Sequence, residues 1–159
     1  MRVRRMLKPV LAALCWAVAT PAHALLESCT AVALPVAFGG YNPLSLSATD
    51  TTGQVTVTCV GVISLAVNYT ISLSTGLANS YAPRKMAFGS SRLNYNLYTN
   101  NARTTVWGNG SNGTGTVSDG YGLALLLVVR DYTIYGRLPA QQNVEAGVYA
   151  DTITVSINY

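Results

Sequence analysis

The 159-residue chain is 50% hydrophobic and only 10% charged, with a formal net charge of +4. Four of its ten cations lie within the first eight residues, and the remainder balances six Lys and Arg against six Asp and Glu. The charge therefore gives no basic surface for nucleic acid, and the length fits one domain with a core of its own.

The first 24 residues have the three parts of a secretory signal peptide in order. A positive n-region precedes the apolar stretch "VLAALCWAVAT", and the small-x-small sequence Ala22–Ala24 follows it. We expect export, cleavage after Ala24 and a mature domain over residues 25–159. The alternative is a membrane anchor, but 11 apolar residues cannot span a bilayer that needs roughly 20.

Two cysteines remain after cleavage, Cys29 and Cys59. An exported chain meets an oxidising compartment, so we expect one disulfide, with two buried free thiols as the alternative. The bridge would close a loop of about 30 residues and contribute roughly 3–4 kcal/mol in the chain-entropy model.

Period-two alternation predicts strands along most of the mature chain. The segments are "QVTVTCV" (54–60), "VNYTISLS" (67–74), "LNYNLY" (93–98), "GLALLLVV" (122–129) and "YTIYG" (132–136). The fourth is a fuller apolar run, which predicts a strand covered on both faces, although by length alone it could be a buried helix. Gly- and Asn-rich turn clusters separate the segments, which indicates an all-β sandwich or barrel.

The last predicted strand runs from Thr152 to the C-terminal residue without a turn. Its β-branched and aromatic side chains fall on one side and its small polar side chains on the other, which predicts one buried face. The apolar side carries Ile153, Val155, Ile157 and Tyr159. No further segment follows this strand that could pair with it.

The chain shows no pattern that favours catalysis. "GNGSNG" formally matches the dinucleotide-binding pattern at Gly108, Gly110 and Gly113, but the following "TGTVSDGYG" cannot start the helix that such a site needs. The mature chain has no histidine, which excludes nucleophile–histidine pairs, and together with the paired cysteines leaves no zinc site. The four carboxylates downstream of residue 118 stand singly, so turns and solvated loops explain them better than glycoside hydrolysis.

A sugar-binding surface formed by exposed tyrosine side chains is an alternative. Tyr98, Tyr132 and Tyr135 are the candidates for stacking on sugars, although half-buried packing is the more usual role of strand tyrosines. Apolar loop tips could also make contacts, with packing as an equally good explanation; the residues concerned are Leu77, Tyr81 and Trp107.

Several stretches in a fixed order resemble the spore coat protein U domain family, which includes the Csu-type subunits of archaic chaperone–usher pili. "CTAVALPVAFGGYNPLS" runs from a cysteine into F-G-x-Y-x-P, and "GQVTVTC" supplies the second cysteine. "YTISLSTG", "APRKM", "LNYNLYTN", "VWG" and "YTIYGRLPAQQNVEAGVYADTITVSINY" follow. The resemblance covers nearly all of residues 29–159.

The resemblance implies an immunoglobulin-like β-sandwich that lacks its last strand. A periplasmic chaperone would fill the resulting groove, an outer-membrane usher would assemble the subunits, and the N-terminal segment of a neighbouring subunit would replace the chaperone strand. Ile153, Val155, Ile157 and Tyr159 would then point toward the groove and its donor strand. Cys29 and Cys59 would tie the first strand to the second. No cofactor or metal is implied.

The short segment between the predicted cleavage site and Cys29 departs from the pattern of a donating subunit. A donor arm that fills a five-residue strand must span about 17 Å. Only Leu25–Ser28 precede Cys29 after cleavage. We therefore expect a subunit that accepts a donor strand but gives none, which places it at the pilus tip with a role in adhesion or biofilm formation.

Two other non-enzymatic functions remain open. A secreted coat or surface protein of the same family could self-associate without an usher, and it would fold without a chaperone. A lectin-like sandwich would be recognised by binding to glycans.

Overall fold

The structure is a computed structural model that describes residues 28–60, 67–122 and 127–159. The predicted signal peptide and the cleavage site after Ala24 lie outside these residues. The described chain forms eight strands and one short 3₁₀ helix, and contains no helix long and apolar enough to cross a membrane. The strands are β1 (Ser28–Leu34), β2 (Thr49–Val60), β3 (Val67–Leu73), β4 (Arg84–Phe88), β5 (Ser91–Tyr98), β6 (Val117–Tyr121), β7 (Leu127–Leu138) and β8 (Val155–Asn158), and the 3₁₀ helix is Gly76–Ala78.

The strands form two antiparallel sheets. One has five strands in the order β1-β2-β7-β5-β4, and the other has three in the order β6-β3-β8. Buried side chains from both sheets belong to a single core cluster. The predicted all-β sandwich is therefore confirmed.

The central strands bury one face each, as their sequence alternation predicts. In β3 the side chains of Val67, Tyr69, Ile71 and Leu73 are buried, while the intervening polar side chains are exposed or half-buried. β2 and β5 repeat this pattern with their own odd-numbered apolar residues. The two-residue period of a strand thus accounts for the core.

The disulfide between Cys29 and Cys59 is present. The two residues are direct partners in the ladder that pairs β1 with β2. The bond therefore fixes the first strand to the second, as the resemblance implies.

The start of β7 corrects the expectation of a strand covered on both faces. Leu127 is 58% exposed and Val129 is 56% exposed. They face outward beside Val60 and Thr58 of β2, where no layer of the described chain covers the five-stranded sheet. An apolar run predicts a strand, but it does not reveal whether a second layer lies over it. Residues 123–126 of this run lie outside the described part.

β8 is shorter than the alternation from Thr152 to Tyr159 predicts. Ala150 still pairs with Ala87 of β4, in the five-stranded sheet, whereas Val155 already pairs with Leu73 of the other sheet. Residues 151–154 cross from one sheet to the other, so they cannot belong to one continuous ladder. Their alternation reflects inward and outward side chains along this crossing.

Candidate functional site

The two sheets leave one side of the sandwich open. β1 is an edge strand of the five-stranded sheet and β8 is an edge strand of the three-stranded sheet. In the described part of the chain, neither has a second strand partner. Each therefore has one row of backbone N–H and C=O groups that another strand could pair with.

A continuous apolar groove, here called the edge groove, lies at this open side between segments 33–43 and 144–155. It consists of two adjoining cavities of about 430 and 460 Å³. Both cavities share Val36, Phe38, Met86 and Tyr149, so they lie side by side. Core side chains form the floor: Leu73, Leu93, Tyr95, Leu97, Ile134 and Leu138.

Two glycines make room for one wall of the edge groove. A Cβ atom at Gly136 would lie 2.8 Å from Val36 Cγ1 and 2.9 Å from Phe38 Cζ. A Cβ atom at Gly53 would lie 2.6 Å from Val36 Cγ2. The chain after β1 therefore lies directly on the core face of β2 and β7. Phe38 then contacts the ring of Tyr95 edge-on, with ring centroids 6.0 Å apart.

Hydrogen bonds hold the outer part of the groove in place. The Tyr41 hydroxyl donates to the carbonyl of Pro139 (3.0 Å) and accepts from the Gln142 N–H (2.7 Å). The Gln142 side-chain amide accepts from the Asn94 N–H (2.7 Å) and donates to the Asn94 carbonyl (2.9 Å). Gln142 thus binds the backbone of β5 as a strand residue would, and Tyr41 ties segment 33–43 to the chain that follows β7.

Asp151 supplies a carboxylate to the groove wall. Its oxygens accept hydrogen bonds from the Tyr95 hydroxyl (2.6 Å), the Leu77 N–H (2.8 Å) and its neighbour Thr152 N–H (2.7 Å). Gly76 lies so close that a Cβ there would be 2.1 Å from Asp151 Oδ2. Burial and the bond to Asp151 raise the pKa of Tyr95, so this hydroxyl stays a donor. The carboxylate is therefore used to fix the crossing segment to the 3₁₀ turn.

The predicted edge residues divide into two groups. Ile153, Val155 and Ile157 are half-buried and pack against the core, and the first two line the edge groove. Tyr159 lies after the end of β8, is 60% exposed and lines neither cavity. The structure therefore brings three of the four predicted residues to the open side of the core.

Some groove residues were not predicted individually from the sequence. Val36, Phe38, Tyr41 and Asp151 shape the walls, yet segment 35–43 has no strand periodicity. The F-G-x-Y-x-P pattern, which contains Phe38 and Tyr41, was the available signal, since a Gly- and Pro-rich stretch that holds two aromatic rings suggests a packed loop.

Most of the aromatic residues that the sequence offers as surface contacts are instead buried or hydrogen-bonded within the fold. Trp107 and Tyr81 are buried, and the Trp107 indole N–H donates to the Ile71 carbonyl at 3.0 Å. Tyr132 donates to Asp119 (2.6 Å) and is hydrogen-bonded to Tyr69. Only Leu77 of the three loop-tip candidates is exposed.

The family model of the Spore Coat Protein U domain matches residues 15–156. This chain belongs to the spore coat protein U domain family. It is 36% identical over 135 residues to Protein U of Myxococcus xanthus, with 77% of this chain and 70% of that protein covered. The match to the family model begins within the predicted signal peptide.

A solved structure has the same fold as this family member. It is the CsuC–CsuE chaperone–tip adhesion subunit pre-assembly complex from the archaic chaperone–usher Csu pili of Acinetobacter baumannii. The TM-score is 0.58 and the sequence identity is 21%, with 84% of this chain and 40% of that chain covered. The chain thus spans about two fifths of the solved chain that it matches, and the likeness concerns the fold.

Proposed function

We propose that this chain is a non-enzymatic subunit of a chaperone–usher surface pilus that accepts a donor strand in the edge groove. The observation that carries the proposal is the groove itself. It lies between two strand edges that have no partner among the described residues, and it has core side chains as its floor. Membership of the spore coat protein U domain family and the fold of the Csu complex support it.

A donor strand would satisfy both the backbone groups of the strand edges and the apolar cavities at the open side. Its backbone would pair with the free edges of β1 and β8, and its alternate side chains would fill the two cavities. Without an occupant, the half-buried Ile153 and the cavity beside it face solvent, and the bare edges would promote aggregation. The required partners are a periplasmic chaperone, an outer-membrane usher and a neighbouring subunit.

The predicted residues then have defined roles. Ile153 and Val155 form the β8 side of the acceptor site, and Ile157 extends it along the strand. The disulfide between Cys29 and Cys59 holds β1, the opposite edge, on the sandwich. The signal peptide takes the chain to the periplasm, and assembly takes it to the cell surface.

The tip position is the finer part of the proposal. If cleavage follows Ala24, four residues precede Cys29, and these cannot form an arm of about 17 Å that also connects to β1. Such a subunit can accept but not donate, so it terminates the fibre at the tip, where it contributes to adhesion or biofilm formation. Intact-mass analysis of the exported chain tests this directly: a longer N-terminal segment would overturn the tip position and leave the acceptor role intact.

A self-associating coat protein is the second candidate function. The 36% identity to Protein U and the description of the family favour it. In that case a second copy of the chain, not a chaperone, would occupy the edge groove. The mature chain expressed alone would then form soluble oligomers.

The deciding experiment is periplasmic expression of residues 1–159 with and without an archaic pilus chaperone, followed by size-exclusion chromatography. We expect a one-to-one complex with the chaperone and aggregation or degradation without it. A stable monomer without the chaperone would contradict the proposal.

Two neighbouring substitutions make this experiment specific to the groove. Ile153→Asp places a charge in the groove wall and should reduce complex formation about tenfold or more. Thr154→Asp adds the same charge at the adjacent exposed position and should leave the complex unchanged. Equal effects of the two changes would show that the edge groove is not the binding site.

A further inference from the structure

The loop between β5 and β6 contains the dipeptide Asn-Gly twice, at Asn109–Gly110 and Asn112–Gly113. A hydrogen bond from the Thr114 N–H to the Ser111 carbonyl (3.0 Å) closes a turn around the second dipeptide. Both central residues have positive φ, 52° at Asn112 and 75° at Gly113, as a type I′ turn requires. The loop is exposed at its tip.

The first Asn-Gly dipeptide is held by hydrogen bonds. Asn109 Oδ1 accepts from the Ser111 N–H (3.0 Å) and from the Ser111 hydroxyl (2.6 Å). The Gly110 N–H donates to the Thr114 hydroxyl at 3.2 Å. The Asn109 side-chain amide and the neighbouring Gly110 nitrogen are therefore both held in hydrogen bonds, which hinders any reaction between them.

The second dipeptide has no such restraint. Among the described residues, the Asn112 side chain and the Gly113 N–H make no hydrogen bond, and both residues are exposed. A Cβ atom placed on Gly113 would meet nothing within 4 Å, so no neighbouring group covers this part of the loop.

We propose that Asn112 is a site of spontaneous deamidation. The Gly113 backbone nitrogen attacks Asn112 Cγ and forms a new C–N bond, and the side-chain nitrogen leaves as ammonia with the proton released by the backbone nitrogen. The product is a five-membered succinimide. Water then opens either of its carbonyl–nitrogen bonds and gives aspartate or isoaspartate, without any change of oxidation state.

The modification would change the charge of a nearly neutral protein. The mature chain balances six cations with six anions, so each conversion adds the one carboxylate that makes it net negative. Because the reaction needs no enzyme, the modified fraction would increase with the age of the exported protein. This inference does not rest on the proposed function.

The test follows both asparagines in one sample. The mature chain, isolated in the state in which cells export it, is incubated at mildly alkaline pH, and peptide mapping by mass spectrometry measures each conversion. In the folded chain we expect Asn112 to react at least about tenfold faster than Asn109, because Asn109 must first break hydrogen bonds. In the denatured, reduced chain the two rates should be similar, since each asparagine precedes glycine.

Two variants separate the effect of hydrogen bonding from that of position. Ser111→Ala removes the hydroxyl donor to Asn109 and should accelerate its reaction about fivefold while Asn112 is unaffected. Asn112→Gln should abolish the fast conversion and the corresponding acidic form on anion exchange. Equal rates at both sites in the folded chain, or no reaction at Asn112 while the denatured chain reacts, would overturn the proposal.

Discussion

The side of the sandwich around Arg84 and the side of the edge groove differ in how completely their groups are partnered. Arg84 is fully buried, yet its guanidinium donates to the carbonyls of Ser74 (3.0 and 2.8 Å) and Trp107 (2.7 Å) and to Asn96 Oδ1 (3.1 Å). Its charge also lies 5.0 Å from the centre of the Tyr81 ring. No buried side-chain nitrogen or oxygen of the described chain lacks a partner.

The edge groove shows the opposite arrangement. Most of its side chains are apolar, with Asp151 in its wall as an exception, and its cavities are open. The strand edges of β1 and β8 beside it are unpaired within the described residues. The open groove is therefore not a sign of generally poor packing, because a poorly packed chain would also leave buried polar groups around Arg84 unsatisfied. β4 and β6 are edge strands too, but what distinguishes the edges of β1 and β8 is the cavity that they border.

The largest expected effect comes from removing the hydrogen bonds that the buried Arg84 guanidinium donates. Arg84→Met keeps an unbranched side chain but leaves the carbonyls of Ser74 and Trp107 without their side-chain donor, while Asn96 Oδ1 keeps only the Leu97 N–H. We expect the free energy of unfolding to fall by about 3–5 kcal/mol, because each buried unsatisfied group costs about 1–3 kcal/mol. Chemical unfolding of residues 25–159, followed by the fluorescence of Trp107, the single tryptophan of that segment, measures it.

Arg84→Lys is the control for charge. It keeps the cation but loses the planar donor fork, so part of the loss should remain. A decrease in the unfolding free energy below about 1 kcal/mol for Arg84→Met would mean that the hydrogen bonds of Arg84 contribute little to stability.

The next effect concerns the β1 edge of the groove. Replacing both Cys29 and Cys59 with serine removes the link to β2, and the chain-entropy model predicts a loss of roughly 3–4 kcal/mol for a loop of this length. We expect faster proteolysis within β1 and weaker chaperone binding. The same unfolding free energy with and without a reducing agent would contradict this role of the disulfide.

A smaller effect should come from replacing Gly136, whose missing side chain lets the groove wall lie close to β7. Gly136→Ala would force Val36 and Phe38 away from β7, at a cost of about 1–3 kcal/mol for overpacking. Chaperone binding should fall together with stability, since the displaced segment lines the groove. Gly122→Ala, where an added Cβ meets nothing within 4 Å and which lines neither cavity, is the matched control and should be nearly neutral.

The strands were predictable because their alternation is local. The buried faces of β2, β3 and β5 follow directly from period two, and the cysteine pair follows from export. By contrast, "APRKM" reads as a surface turn, yet Arg84 is the first residue of β4 and is fully buried. Its acceptors lie 10 to 23 residues away in sequence, and no local pattern reports contacts over that distance.

The edge groove was predictable only in part for the same reason. The alternation before Tyr159 pointed to Ile153 and Val155, which line the groove, and to Ile157, which packs against the core beside it. The opposite wall depends on where segment 35–43 lies, and that is decided by the absent side chains of Gly53 and Gly136. The role of Asp151 depends on Leu77 and Tyr95, which are brought near only by the fold.

The smallest expected effect is a pH dependence confined to the five-stranded sheet. Asp50 lies opposite Arg137 in the ladder of β2 and β7, and both of its oxygens accept from that guanidinium at 2.7 Å. The hydrogen bonds from Arg137 lower the pKa of Asp50 below its usual value. Because the folded pKa is depressed, the stabilisation is complete above the unfolded pKa of about 3.9 and is lost as the pH falls through the folded pKa.

Asp50→Asn tests this pair. Because the pair is partly exposed, we expect a loss of at most about 1 kcal/mol at neutral pH, with the difference from the unmodified chain vanishing in acid. Unfolding midpoints measured from neutral pH down to acid would show the two curves converge. The edge groove contains no part of this pair, so chaperone binding at neutral pH should be unchanged, and a loss of binding would mean that the two sides of the sandwich are coupled through β2 and β7.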